Sequence, residues 1–219
     1  MERHAIYRAM RTAFHEALET ARLTVIQLGA LCLDSVRASS RALERRDVPL
    51  AARVIAGDDQ IKEMRRRVDA ACVEMIWKQQ PVAGELRAIA GMLQIVSDLE
   101  RIGDYAAENA KFAVRLSDMP ERPGSIQIER ISALAQSMLA DAMRAYRDEE
   151  PSVADAVIAR DDEVDDVYQS CIQALESEMR VEPSVVSPAT ILLFVLANIE
   201  RVGDRAQNIA WKTKDVYAP

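Results

Sequence analysis

Two short stretches of this chain carry carboxylates at a spacing that could hold a cation. Glu100-Arg101-Ile102-Gly103-Asp104 returns 100 positions later as Glu200-Arg201-Val202-Gly203-Asp204, and Ala106 and Ala110 return as Ala206 and Ala210. Residues four apart share one face of a helix, so each stretch would stack a Glu over an Asp. A like-charge pair of this kind costs about 0.2–0.5 kcal/mol of helix stability. An oxygen-only donor set suits hard cations such as Mg²⁺, Ca²⁺, Mn²⁺ or iron. Zinc sites usually recruit His or Cys, and neither occurs in the motifs. A single E-x-x-x-D is ordinarily a solvated helix face. Its recurrence argues for more, because a purely architectural repeat need preserve only apolar positions.

The repeat extends upstream and supplies further carboxylates. Val54-Ile55-Ala56-Gly57-Asp58-Asp59 returns as Val157-Ile158-Ala159-Arg160-Asp161-Asp162, offset by 103. Two matched blocks in the same order mean a duplicated unit. Asp58 would approach Glu100 and Asp104 if neighbouring helices pack antiparallel, and Asp161 would approach Glu200 and Asp204. Asp165 adds a fourth acid in the second copy, where the first has Lys62. The candidate metal ligands are therefore Glu100, Asp104 and Asp58 in one copy, and Glu200, Asp204, Asp161 and Asp165 in the other. The ammonium of Lys62 predicts weaker binding in the first copy.

Long helices must position these residues. Pro49, Pro81, Pro120 with Pro123, Pro151, and Pro183 with Pro188 divide the chain into six stretches nearly free of internal proline, which a helix interior disfavours. Asp47, Ser125 and Ser187 stand beside the cuts as candidate caps. Met92, Ile95, Leu99, Ile102 and Ala106 recur at helical spacing, as do Ile128, Ile131, Leu134, Met138 and Ala142. No stretch alternates as a half-buried strand would. The reading is all-α, six long helices arranged three plus three, with the joint near 118–125 and units at 1–119 and 124–219. Helical phase places Glu100 and Asp104 at the margin of one apolar arc, and Glu200 and Asp204 at the margin of its counterpart. Gly103 and Gly203 lie on those arcs, where a missing side chain lets another helix approach.

Composition narrows the function. With 49% hydrophobic but only 5% aromatic residues, the core must be aliphatic, as packed helices allow. A net charge of −7 lacks the basic footprint that general nucleic-acid or anionic-membrane binding requires. Cys32, Cys72 and Cys171 are odd in number and form no C-x-x-C, as expected of buried free thiols in a reducing compartment. No secretory leader is visible, and the most apolar run, Ile191 to Ile199, is short of a bilayer span of about 20 residues. A cytoplasmic protein without direct membrane insertion is the expectation. His4 and His15 are expected at the surface or in packing. A di-iron oxidase or ferritin-like store would need Glu-x-x-His pairs, and the chain has none, so no enzymatic activity is expected.

The motifs resemble those of the PhoU family of phosphate-transport accessory and regulatory proteins. The similarity runs through Phe14–Leu18, Gly57-Asp58, Gln80-Pro81 with Leu86-Arg87, Asp98 to Asp104, Asn198 to Arg205, and Gln207-Asn208-Ile209. It implies two tandem three-helix bundles related by a pseudo-twofold, with metal on the E(D)-x-x-x-D motifs, a multinuclear iron cluster in some members and other cations in others. It also implies a homodimer that binds the phosphate ABC transporter ATPase and the sensor histidine kinase, repressing the phosphate-starvation response. An accessory of another phosphate carrier is the alternative. Two departures bear on the sites: Glu108 stands where the second copy has Asn208, and Lys62 stands opposite Asp165.

Overall fold

The structure is a computed structural model that describes residues 2–119, 123 and 127–217, with side chains from Arg11 onward except Gln79. Helix α1 spans Glu2–Arg45, α2 Val48–Gln79 and α3 Ala83–Ser117. Helix α4 spans Ile128–Asp148, α5 Pro151–Ile158, α6 Asp161–Val181 and, after a 3₁₀ turn at Pro183–Val185, α7 covers Val186–Tyr217. No strand occurs among the described residues. The fold is two tandem three-helix bundles, α1–α3 and α4–α7, related by a pseudo-twofold.

The fifth of the six expected rods is broken. Its counterpart α2 runs unbroken through Gly57, but α5 stops at Ile158 and α6 starts at Asp161. Arg160, which replaces that glycine, turns its side chain onto α4, donating to Ser137 Oγ at 2.8 Å and pairing with Asp141. The break makes Asp161 the first residue of a helix, whereas Asp58 lies inside one.

Caps follow the residues available. Asp47 Oδ1 accepts from the Leu50 amide at 2.8 Å and starts α2, satisfying one donor that the first turn leaves free. Gln80 and Glu149 end α2 and α4 in the left-handed region, at φ 45° and 57°. Ser187 is not a cap, because the chain is already helical there; Glu182 caps the preceding turn by accepting from the Ser184 amide at 3.1 Å. Ser125 and His4 lie outside the residues whose side chains are described. His15 is exposed, edge-on to Phe14 at 5.7 Å between ring centroids.

The core is continuous across both bundles. Ile89, Ile95, Val96, Leu99 and Ile102 of α3 are fully buried with Ile131, Leu139, Val195, Leu196 and Ile209 of the second bundle. Helices α3 and α7 cross antiparallel along one seam: Phe112 stacks on Phe194, Arg201 lies over Tyr105, and Arg205 reaches Asp98. These pairs fall roughly symmetrically about Gly103 and Gly203, so the crossing centres on the repeated motifs. One 18-residue window of Pro183–Tyr217 reaches a mean hydropathy of 1.6, which is apolar enough for a membrane span. It is 56% buried among the other helices, and that apolarity serves the core. Cys32, Cys72 and Cys171 are free and buried, and burial pushes the Cys72 thiol up to about 11.

Candidate cation-binding ridges

The packing seam places both carboxylate ridges at the edge of the core. Ile102 and Val202 are buried, Gly103 and Gly203 face inward, and the flanking acids are partly exposed. In each copy the ridge on α3 or α7 meets the helix before it. Gly103 lies against Ile61 of α2, and Gly203 against Val164 of α6.

In the first copy cations of the chain itself occupy the ridge. Lys62 Nζ pairs with Asp58 one turn earlier and reaches Asp104 Oδ1 at 3.3 Å. Hydrogen bonding to Asp58 leads the interactions that raise the lysine's pKa, burial opposes it, and Asp104 adds to the rise. Arg65 stands 3.6 Å from Glu100 and 2.9 Å from Asp69, and Arg101 lies 3.8 Å from Asp104. Asp58 does approach Asp104, but through an ammonium. Its Oδ1 is buried without a hydrogen-bond partner among the described residues, one acceptor left over from a set otherwise neutralised.

The second copy is different. Asp161, Asp165, Glu200 and Asp204 have no salt-bridge partner within 4.0 Å among the described residues. Burial, then Asp204 and Asp165, push the Asp161 carboxyl above its ordinary value, although Gln207 donates to its Oδ2 at 2.7 Å. Burial, followed by Asp204 and Asp165, raises Glu200 likewise. Burial and then Asp165 raise Asp204, against the pull of Arg205 and Arg201. The four acids repel one another across the α6–α7 groove, at a cost that a hard cation would offset.

Among the described residues, no three Asp, Glu, His or Cys side chains converge at metal-binding distance. Asp161, Asp165, Glu200 and Asp204 nonetheless fit such an ion in chemistry: oxygen donors only, net negative and uncompensated. The first-copy set fits it poorly, because Lys62 and Arg65 already supply the positive charge.

Between the ridges lies a polar seam that the spacing of acids does not reveal. Asn198 is 2% exposed and donates to Asn109 Oδ1 at 3.0 Å and to Glu108 Oε2 at 3.2 Å. Asp98 accepts from Arg205 at 3.3 Å and from Asn208, while burial holds its pKa up. The two copies divide the work. Helix α3 supplies the acids Asp98 and Glu108, and α7 supplies amides at the equivalent positions 198 and 208. The departure at Glu108 therefore concerns the joint between bundles rather than the first ridge. Gln207, Arg65 and the seam pairs escape a search for repeated acids because they differ between copies.

Comparison with known proteins agrees with the geometry. A family model described as "PhoU domain" matches twice, over residues 25–113 and 128–213. The phosphate-specific transport system accessory protein PhoU homolog of Rhizobium meliloti is 35% identical over 201 residues, covering 91% of this chain and 84% of that one. The homolog from Caulobacter vibrioides is 36% identical, covering 88% and 85%. The crystal structure of PhoU from Pseudomonas aeruginosa superposes with a TM-score of 0.90 at 32% identity, covering 93% and 98%. With its duplicated ridges, its paired bundles and this similarity along nearly its whole length, the chain belongs to the PhoU family.

Proposed function

We propose that this chain is a non-enzymatic accessory and negative regulator of phosphate uptake, acting in the cytoplasm by binding partner proteins. The single observation behind this reading is the double family match over both bundles, shared with relatives named as accessory proteins of the phosphate-specific transport system. The partners in this reading are the phosphate ABC transporter ATPase and a sensor histidine kinase, and the acting form is a homodimer. A surface with a net charge of −7 suits basic patches on such partners, and charge complementarity mainly speeds and orients the encounter.

Hard cations on the second ridge belong to the same proposal. Glu200, Asp204, Asp161 and Asp165 would hold the ion, with Glu100, Asp104 and Asp58 a weaker set. The bound cation would supply positive charge to an acidic face and join α6 to α7. The chain's own residues orient the donors: Gln207 fixes Asp161 and also donates to Ile158 O at 3.4 Å at the α5–α6 break.

A deletion strain tests the regulatory role. Phosphate-starvation genes should stay on in high phosphate, and normal repression with normal uptake would overturn the reading. Replacing Glu100, Asp104, Glu200 and Asp204 together by Ala should abolish tight metal uptake while helical circular dichroism persists. Unchanged metal stoichiometry would remove the cation from the proposal.

A further inference from the structure

A second seam joins the bundles, between α1 and α4, and its two ends differ. The helices run antiparallel, from Arg22 beside Glu149 at 3.2 Å to Ser40 beside Gln136 at 3.2 Å. The offset of 103 between copies pairs Gly29 with Ser132, and Ser40 with Met143. The pseudo-twofold thus maps the contact of Gly29 with Met143 onto a meeting of Ser132 with Ser40. At the first end Met143 fills the seam so closely that a Cβ on Gly29 would collide with it. At the other end two small hydroxyl residues leave a cleft of about 270 Å³, lined by Arg37, Arg41, Ser40, Ser132 and Gln136, with Glu44 and Glu129 also on its wall.

The cleft is rich in donors. Ser132 is 2% exposed, and its buried hydroxyl has no hydrogen-bond partner among the described residues. Ser40 already donates to Val36 O at 3.0 Å and accepts from Gln136. Among the described residues Arg37 forms one ion pair, with Asp34 at 3.7 Å, and Arg41 forms none. A buried hydroxyl without an acceptor is an uncommon feature, and it lies beside two guanidiniums.

We propose that this cleft binds a small tetrahedral oxyanion that retains a proton, of which inorganic phosphate is the fitting example. Guanidinium N–H groups match a phosphate edge in pairs, and the Ser132 hydroxyl donates to a further oxygen. Glu129 on the cleft wall accepts the hydrogen bond of the anion's own O–H, whereas sulfate at neutral pH has no proton to offer and meets repulsion. Two guanidiniums and two carboxylates cancel at long range, so binding should be modest, with a Kd on the order of 1 mM. The inference goes beyond the proposed partner role, which can stand without it.

Titration of the full chain, stripped of metal and desalted, with inorganic phosphate tests the site by calorimetry and ³¹P line broadening. Saturable binding of one phosphate per chain is expected, without competition from equimolar sulfate. Arg41→Gln alters an exposed side chain and should weaken binding about tenfold with the fold intact. Ser40→Met, which rebuilds the filled end of the seam, should also weaken it. Absence of saturation up to roughly 50 mM phosphate, wild-type affinity in Arg41→Gln, or equal competition by sulfate would each overturn the proposal.

Discussion

The first and second carboxylate ridges share an ancestry and a motif but have reached opposite electrostatic states. On the first, Lys62 and Arg65 sit among Asp58, Asp104 and Glu100. On the second, Asp165 stands in the place of Lys62, and burial and mutual repulsion raise the pKa values of Asp161, Glu200 and Asp204. Duplicated sequence therefore does not mean duplicated chemistry. Two exchanges on the neighbouring helix, Lys62 for Asp165 and Arg65 for Tyr168, decide whether a ridge neutralises itself or is left needing a cation.

Exchanging the first of these pairs, Lys62 and Asp165, should give the largest effect. Asp165→Lys should place an ammonium among Asp161, Asp204 and Glu200 and cut affinity for Mn²⁺ or Mg²⁺ about a hundredfold, or roughly 2.7 kcal/mol. Lys62→Asp should do the reverse in part, opening a weaker cation site on the first ridge, where Arg65 still faces Glu100. Without metal this variant loses two partly exposed ion pairs, each worth about 0.2–1 kcal/mol, and added cation should restore the loss. Calorimetric stoichiometry and melting with and without metal measure both. Equal cation affinity of wild type and Asp165→Lys would show that the ridges do not differ as their charges imply.

The same comparison explains what the amino-acid order could reveal. The six rods were legible because prolines cluster at the joints and apolar residues recur at helical spacing between them. The break at Ala159–Arg160 was not, since neither residue is a helix breaker; it depends on Arg160 finding Ser137 and Asp141 on α4. The repeated acids were legible from spacing alone, and so was the opposition of Lys62 to Asp165. The ion pair of Arg65 with Glu100 and the seam pair of Asn198 with Asn109 were hidden, because they join residues 35 and 89 positions apart with no repeat to mark them.

Glycine in the motif gives a smaller, purely steric version of the contrast. A Cβ on Gly103 would lie 2.8 Å from Ile61 Cδ1 and 3.0 Å from its Cγ2, and Ile61 is fully buried. At Gly203 the facing residue is Val164, one methylene smaller, and the Cβ would meet it at an ordinary 3.5 Å. Alanine gains about 1 kcal/mol over glycine in a helix interior, while forced overpacking costs about 1–3 kcal/mol. Gly203→Ala should therefore stabilise the protein by up to about 1 kcal/mol, and Gly103→Ala should leave it unchanged or weaken it. Urea unfolding of the two variants reads the difference. A Gly203→Ala variant less stable than Gly103→Ala would refute the packing account.

The pH dependence of the metal-free protein should show the smallest effect, and its sign separates the ridges. Asp161, Glu200 and Asp204 have folded pKa values above their ordinary ones, so the folded state binds protons more readily than the unfolded chain. Their contribution to stability improves as pH falls through the raised values and stops changing once the unfolded carboxylates are protonated too. Lys62 behaves oppositely at the far end of the scale. Its raised pKa contributes stability present below its ordinary value and lost as pH rises through the folded one. Against the acids of the second ridge stand Glu85, lowered chiefly by Arg11, and Asp141, where burial is outweighed by Arg160 and Arg144 together; both lose stability only as pH falls below the ordinary carboxylate range. Melting temperature without metal should thus rise modestly as pH falls from neutral toward the ordinary carboxylate range of about 4. Asp165 contributes to all three upward shifts, so Asp165→Asn should flatten the rise, as should saturating Mg²⁺ or Mn²⁺. A rise that persists unaltered in Asp165→Asn and in saturating cation would place its origin outside the second ridge.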